Sequence, residues 1–330
     1  MPDAQVTAVG EKETGDAVPF MLRPYRRLTR RFVEAGALAW FDDLATVEPE
    51  GGTDWVASLE LCALVTGQVE PLAARLGARR AVLTWGNDPR NPLYRLPPFR
   101  QALNRAKRSD LVICLIEAAR DHCVELGIDE DRCAVVLPPV DMDRFHPPSE
   151  PVEEPVAVFI SPLAENKGID RVLDAFELVR ARVPDARLVI AGRGPLQPMV
   201  EERAAASAGS VTYVGSLPGD GVARLLRESA VFVTAPRPTR VWNEQFGLAY
   251  VEAMASGIPV VTTECGTNHE AVLAPSIRVP DEVGALADGL VHFLADPGLR
   301  RRLAPELRRV VVERFDRGQQ IEALRRAFDR

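Results

Sequence analysis

Short apolar runs alternate along the chain with longer stretches in which apolar residues recur every three or four positions. The short runs predict buried strands, and the longer stretches predict amphipathic helices. The predicted strands are residues 5–9, 56–59, 80–85, 111–115, 133–137, 156–160, 187–191, 211–214, 231–234 and 259–262. The predicted helices are residues 25–35, 67–76, 99–107, 118–126, 169–183, 197–206, 222–228, 246–256 and 283–294. Such alternation is typical of α/β proteins, whose parallel sheets are covered by helices.

One segment near the middle of the chain breaks this alternation. From Pro147 to Pro155 the sequence has four prolines, three glutamates and no apolar period, which is typical of a linker. We therefore predict two doubly wound, Rossmann-like domains, residues 1–150 and 151–315. Residues 316–330 contain an amphipathic helix whose apolar face could pack back on the first domain. Ligands of doubly wound sheets bind beyond the C-terminal ends of the strands, so we expect the site in the cleft between the domains.

The composition favours a soluble globular protein. Of the 330 residues, 46% are hydrophobic and 26% are charged, and no apolar run is long enough to span a membrane. The first residues lack the pattern of a signal peptide. A net charge of −7 argues against nucleic-acid binding. An arginine-rich helix at residues 23–31 leaves peripheral contact with anionic lipid open, although a solvated face is the commoner role of such a run.

The cysteines and histidines have no spacing that indicates a metal site. The five cysteines form no C-x-x-C pair, and the four histidines are scattered. An odd number of cysteines in mostly apolar surroundings favours reduced thiols and a cytoplasmic location. We expect neither a metal ion nor a bound cofactor.

Residues 243–261, NEQFGLAYVEAMASGIPVV, place two glutamates in a nearly all-apolar segment. Glu252 lies in a predicted helix that is apolar on every side, and such a helix is buried. A buried carboxylate without a partner costs several kcal/mol, so Glu252 requires one. One alternative is a core arginine, in which case Glu244 is merely a solvated loop residue. The other is a ligand that contacts both carboxylates.

The spacing of the two glutamates suits a nucleotide-sugar. Eight residues of helix rise about 12 Å, close to the span from the sugar to the ribose of such a ligand. Between the carboxylates lies a helix N-terminus, whose free N–H groups and dipole favour a diphosphate. Gly247 would let the backbone approach the ligand closely. The segment could therefore bind the sugar through Glu244, the diphosphate at the helix N-terminus and the ribose through Glu252.

This segment also resembles the E-x7-E signature of the retaining family-4 glycosyltransferases, E-x-F-G-L-x-x-x-E-A-M-A-x-G-x-P-V-V. The segments PVAVFISPLAENKGIDRVLDAF, RLVIAGRGP, VTYVGSLP, AVFVTAP and VVLPPVDMDRFHP resemble other parts of that family. The good match extends from about residue 100 to about residue 300 of this sequence. It implies the GT-B fold and the transfer of a sugar from a nucleoside diphosphate to a hydroxyl group, without a metal ion.

The resemblance assigns roles to individual residues. Glu244 and Lys167 match the positions that contact the donor sugar and its diphosphate, and we predict them as the catalytic pair. Lys167 is one of three lysines among the 40 basic residues, which makes its place in the motif informative. A solvated lysine that caps the next helix is the alternative. The other residues predicted to bind the donor are Gly192, Arg193, Leu217, Gln245, Phe246, Gly247, Leu248 and Glu252.

Pro162 is the main departure from the family pattern, which usually has an arginine there as a second diphosphate contact. Proline offers neither a positive charge nor an N–H group. Either Arg193 supplies part of the missing charge, or Lys167 and the helix N-terminus suffice. The Gly192-x-Gly194 turn does not indicate NAD binding, because Gln197 occupies the place of the third glycine.

The first domain departs further from the family and should recognise the acceptor. Residues 84–88 read T-W-G-N-D, without the histidine that the family often has there. We expect Trp85, Asn87 and Asp88 to line the acceptor side, the alternative being a rigid surface loop. Glu60 is a further candidate acid. The sequence thus predicts a retaining glycosyltransferase acting on a glycan or small-molecule hydroxyl. A catalytically weak sugar-nucleotide-binding partner subunit and a GT-B nucleotide-sugar epimerase are the alternatives.

Overall fold

The computed structural model describes residues 52–86, 92–239 and 242–330, which form two compact units. The first unit contains the described residues up to Leu137 together with Ile321–Arg330, and the second contains Pro138–Gln320. The predicted strand 5–9 and the predicted arginine-rich helix lie outside the described residues. Within the described ranges, no helix has the length and apolar character needed to cross a membrane.

Within its described residues, the first unit is built on a four-stranded parallel sheet in the order β1-β2-β3-β4. Its elements in chain order are β1 (Trp55–Leu59), α1 (Leu64–Leu76), β2 (Arg79–Thr84), α2 (Pro97–Ala106), β3 (Leu111–Cys114), α3 (Glu117–Glu125) and β4 (Cys133–Val135). Every residue of β3 is buried, as expected for a central strand covered on both faces. The end of the chain joins this core, because Ala327 is buried in it and the Phe328 ring lies 5.0 Å from the Trp55 ring.

The second unit is built on a six-stranded parallel sheet in the order β10-β9-β8-β5-β6-β7. Its strands are β5 (Val156–Ile160), β6 (Arg187–Ala191), β7 (Val211–Gly215), β8 (Val231–Thr234), β9 (Val260–Thr263) and β10 (Ile277–Val279). Its helices are α4 (Ile169–Arg182), α5 (Gln197–Ala206), α6 (Gly219–Arg227), α7 (Leu248–Ala255), α8 (Val283–Leu294) and α9 (Pro297–Phe315), and α10 (Arg317–Phe328) follows. The predicted α/β class with parallel sheets is confirmed.

The strand order of the second sheet reverses between β5 and β8. The chain builds outward from β5 through β6 to β7, then returns to the other side of β5 and continues through β8 to β10. Connections from the two neighbouring strands therefore leave in opposite directions, and a crevice opens above their C-terminal ends. The segments that follow β5 and β8 contain Lys167 and Glu244, so the topology places the loops of the two predicted catalytic residues side by side.

The segment predicted as a linker is fixed to the second unit. Arg300, which is 6% exposed, donates hydrogen bonds to the carbonyl oxygens of Val152 and Glu153 at 3.0 and 2.9 Å. It also donates to the carbonyls of Phe293 and Leu294 at the end of α8. One buried guanidinium thus joins the segment before β5 to α8 and α9 of the second unit. The change between units lies at Leu137–Pro138, earlier than the predicted boundary at residue 150.

Replacing Arg300 with Met should lower the free energy of unfolding by about 2–4 kcal/mol, because buried carbonyls lose a charged donor. Arg301→Met is the matched control, since the Arg301 side chain is 55% exposed and lies 3.6 Å from Glu153. An exposed ion pair of this kind contributes about 1 kcal/mol or less. Urea unfolding of both variants measures the difference. Equal losses would show that the hydrogen bonds of Arg300 do not fix this segment.

Candidate active site

Lys167 and Glu244 meet at the point where the strand order reverses. The Lys167 ammonium donates a hydrogen bond to Oε2 of Glu244 at 2.7 Å, and the two side chains are 19% and 10% exposed. Lys167 ends a short turn after β5, and Gly168 follows with φ 68°. A Cβ on Gly168 would lie 1.8 Å from the carbonyl oxygen of Ala235, just after β8. Only glycine allows the two loops to approach so closely, and this approach brings the ion pair together.

Trp242 completes this cluster and was not predicted. Its ring centroid lies 4.4 Å from the Lys167 ammonium, within the range of a cation–π contact. Lys167 is therefore held on one side by a carboxylate and on another by an aromatic face. The sequence offers one signal for this role, since Trp242 stands two positions before Glu244 in the same loop.

The main chain at Glu244 is held by the loop that follows β9. The carbonyl oxygen of Glu244 accepts a hydrogen bond from the Thr267 N–H at 2.9 Å, and the Thr267 hydroxyl donates to the carbonyl of Gln245. A Cβ on Gly266 would lie 2.1 Å from the Glu244 carbonyl oxygen. Gln245 itself is half-buried. The position of the Glu244 carboxylate thus depends on two loops, one after β8 and one after β9.

The residues between the two glutamates have structural tasks in addition to the donor binding predicted for them. The Phe246 side chain is buried, and its ring centroid lies 5.6 Å from that of Phe315. It therefore anchors the segment after Glu244 in the core. Gly247 has φ 85°, and a Cβ there would lie 2.3 Å from the Tyr250 ring. This glycine makes room for a buried tyrosine. Leu248, the first residue of α7, is 46% exposed.

Glu252 has a different environment from Glu244. It lies on α7, is only partly exposed, and its carboxylate has no hydrogen bond or ion pair with the residues that the structure describes. Burial raises the pKa of Glu252, and the positive charge of Arg144 opposes that rise. Arg144 is itself paired with Asp220 at 3.1 Å. The core arginine considered as a partner for Glu252 is therefore not found in the described part of the chain.

The geometry corrects one detail of the predicted spacing. The helix begins at Leu248, so Glu244 lies before it and only the second half of the interval is helical. The rise of a continuous helix therefore does not give the separation of the two carboxylates.

The remaining predicted donor residues follow β6 and β7. A Cβ on Gly192, which has φ 143°, would lie 2.0 Å from the carbonyl oxygen of Ser161, so the turn after β6 packs against the loop after β5. Arg193 is exposed, and its side chain has no ion pair within the described ranges. Leu217 is half-buried in the loop between β7 and α6. All three lie at the C-terminal ends of the strands, where a doubly wound sheet binds its ligand.

Of the predicted acceptor residues, Trp85 is described and follows β2 directly, whereas Asn87 and Asp88 lie outside the described residues. The main-chain N–H of Trp85 donates to the Glu60 carboxylate at 3.1 Å, and the Thr84 hydroxyl donates to the same carboxylate at 2.9 Å. Glu60 has φ 65°, a conformation that is rare for residues other than glycine. Its carboxylate therefore connects the ends of β1 and β2.

Comparison with known proteins agrees with this arrangement. Residues 154–296, which contain Lys167, Glu244 and Glu252, match the model of the family Glycosyl transferases group 1. The GDP-mannose-dependent alpha-(1-6)-phosphatidylinositol monomannoside mannosyltransferase of Mycolicibacterium smegmatis is 30% identical over 247 residues, 69% of this chain and 64% of that protein. The D-inositol 3-phosphate glycosyltransferase of Mycobacterium tuberculosis is 31% identical over 263 residues, 74% of this chain and 52% of that protein. The chain thus spans less than two thirds of the length of these relatives.

A solved structure shares the fold. HepE of Anabaena, crystallised with UDP and glucose, superimposes with a TM-score of 0.68 at 19% identity, covering 84% of this chain and 78% of that one. The predicted family resemblance and the predicted fold are therefore confirmed. The match to the Glycosyl transferases group 1 family covers residues 154–296, within a chain that has the GT-B fold.

Proposed function

We propose that this protein is a retaining glycosyltransferase that moves a sugar from a nucleoside diphosphate to a hydroxyl group. The observation that carries the proposal is the Lys167–Glu244 pair at the reversal of strand order in the second sheet. An ammonium and a carboxylate at hydrogen-bond distance offer one partner for a diphosphate and one for the hydroxyls of the attached sugar. The two relatives bear names of glycosyltransferases, which supports the same class of reaction.

In the proposed complex, the diphosphate oxygens contact Lys167 and the hydroxyls of the donor sugar donate to Glu244. Glu252 accepts hydrogen bonds from the ribose, because its partly exposed carboxylate has no protein partner in the described ranges. Arg193 is exposed and can add positive charge, which Pro162 cannot. The protein contributes positioning and electrostatic stabilisation to a cationic sugar and an anionic leaving group. We expect the leaving diphosphate to take the proton of the incoming hydroxyl, and the reaction to need no metal ion.

The acceptor is proposed to bind through the first unit, at the segment that begins with Trp85. The two relatives are named for acceptors that contain inositol, so inositol phosphates and phosphatidylinositol mannosides belong in the first acceptor panel beside simple sugars. The catalytically weak partner subunit and the epimerase stay as alternatives. A binding subunit would retain the donor without releasing a nucleotide, and an epimerase would change the sugar while it remains attached to the diphosphate. We propose a cytoplasmic location on the basis of the reduced cysteines.

Incubation with UDP-, GDP- and dTDP-sugars plus the acceptor panel should release free nucleoside diphosphate and give a glycosylated product. Lys167→Ala should lower that rate about 100-fold or more, the effect expected when one charge-stabilising donor is removed. Arg193→Ala should reduce the rate less, because this exposed side chain supplies charge from the edge of the site. Product formation by mass spectrometry measures both variants.

Two results would contradict this scheme. A larger loss for Arg193→Ala would assign the diphosphate to the turn after β6. Tight donor binding without nucleotide release on any acceptor would favour the partner-subunit alternative.

Glu252→Gln should weaken the affinity for the nucleoside diphosphate by about 1–3 kcal/mol, the contribution of a hydrogen bond to a charged group. The pH dependence gives a second readout. Burial raises the pKa of Glu252. The carboxylate contributes to binding above this pKa, and the contribution is lost as the pH falls through it. The loss should therefore occur at a higher pH than it would for an exposed glutamate. Calorimetry across the acidic range should show this loss in the wild type and a flatter profile in the variant.

Glu202→Gln provides the control for this measurement, because Glu202 is exposed on α5. Its affinity and pH profile should equal those of the wild type. An unchanged affinity in Glu252→Gln would remove the ribose assignment.

Replacing Trp242 with Tyr, Phe or Leu should lower the affinity for the nucleoside diphosphate, and Leu should lower it most. Trp binds a cation best, Tyr and Phe bind it less well, and Leu has no aromatic face. The loss in Trp242→Leu should correspond to about 0.5–2 kcal/mol. Affinity for the nucleoside without phosphates should stay constant across the series, because Lys167 does not contact it in the proposed complex. Equal losses for the nucleoside would assign Trp242 a packing role instead.

A further inference from the structure

Three buried cysteines lie together in the first unit, apart from the residues used in the proposed reaction. The Sγ atoms of Cys114, Cys123 and Cys133 are all within 4.8 Å of one another, and those of Cys114 and Cys123 are 3.9 Å apart. The side chains are 0%, 0% and 6% exposed. Among the described residues, this is the one group of three or more histidine, cysteine or acidic side chains arranged closely enough to share an ion.

The fold brings these cysteines together from three different elements. Cys114 ends β3, Cys133 begins the neighbouring strand β4, and Cys123 lies in α3, which connects the two strands. The parallel register places Cys133 opposite Val112 and Cys114 opposite Val135. The spacing of nine and ten residues gives no C-x-x-C motif. The sequence prediction of no metal site therefore could not take this cluster into account.

The distances suit a three-coordinate ion. A thiolate–metal bond of about 2.3 Å in a trigonal arrangement requires sulfurs about 4.0 Å apart. The Cys114–Cys123 distance of 3.9 Å already meets this requirement. No two of the three sulfurs are more than 4.8 Å apart, which is less than 1 Å above the required distance. A side-chain rotation can close this difference.

The ligand set points to the kind of ion. Three sulfur donors select soft cations, above all Cu(I), over the hard cations that prefer oxygen. Zinc usually takes four ligands in a closed site, and no described histidine, aspartate or glutamate joins the three thiols as a fourth.

We propose that Cys114, Cys123 and Cys133 form a structural site for a soft monovalent cation, Cu(I), in the first unit. On binding, the ion replaces thiol protons, which pass to solvent, and no electron is transferred. The site would join β3, β4 and α3 near the C-terminal end of the sheet. Cys114 is paired in register with Thr84, whose hydroxyl donates to Glu60, so the bound ion would also stiffen the strand that leads into Trp85.

The test uses the full chain, reduced and free of metal, titrated anaerobically with Cu(I) in the presence of a competing Cu(I) chelator. We expect one equivalent bound per chain and a higher midpoint of thermal unfolding. Cys123→Ala should lower the Cu(I) affinity at least tenfold and remove the thermal shift. If Cys123→Ala does not fold, Cys114→Ser and Cys133→Ser replace it in the test. The same loss of Cu(I) affinity is expected for them.

Cys62→Ser and Cys265→Ser are the matched controls, because both cysteines are buried and free but lie outside the cluster. They should bind one equivalent with the thermal shift intact.

Absence of stoichiometric Cu(I) binding would overturn the proposal and leave the thiols as apolar core residues. The same conclusion would follow if the controls lost affinity as much as the cluster variants. Binding of Zn(II) in preference to Cu(I) at the three cysteines would overturn the assignment of the ion. None of these outcomes depends on glycosyl transfer, so this test and that of the proposed function fail separately.

Discussion

The contact between the loops that follow β5 and β8 determines the chemistry available in the second unit. It requires a reversal of strand order, which places the two loops side by side, and a glycine at position 168, where any side chain would meet the carbonyl of Ala235. Lys167 and Glu244 then stand at 2.7 Å in a part-buried setting. A second close approach, between Gly266 and the main-chain carbonyl of Glu244, holds the backbone from which the carboxylate extends. The glycines therefore matter here through backbone contacts, and the charged pair results from them.

The two carboxylates of the E-x7-E segment have separate environments, and this difference suits separate tasks. Glu244 has a strong protein partner in Lys167, and it can exchange this hydrogen bond for one from a ligand. Glu252 has no such partner in the described ranges and is partly desolvated, which raises its pKa. A ligand that donates hydroxyl groups would supply the missing hydrogen bonds and restore the preference for the charged form. Ribose has two adjacent hydroxyls and meets that requirement.

Much of this arrangement could be predicted from the sequence, because the central strands are short apolar runs and the site lies in a long motif. The strands 156–160, 187–191 and 231–234 agree with the structure residue for residue. The three-residue strand β10 was missed because it is too short to show a period. Helix α9 was missed because it is rich in arginine and contains Pro305, which obscures its apolar face. The contact of Trp242 with Lys167 and the grouping of the three cysteines could not be predicted from spacing, because these residues meet only through the fold.

The Lys167–Glu244 pair has a consequence for the order of events in the proposed reaction. A bare nucleoside diphosphate that draws Lys167 away would leave the buried Glu244 carboxylate without its partner, which is costly. In the proposed complex a nucleotide-sugar avoids this cost, because its sugar hydroxyls would donate to Glu244 while its phosphates contact Lys167. The site should therefore favour the donor over the nucleotide product. Once the sugar has moved to the acceptor, the hydroxyl donors leave with it, and re-formation of the ion pair then opposes retention of the diphosphate. The absence of an arginine at Pro162 acts in the same direction, since a second fixed cation there would hold the product more tightly.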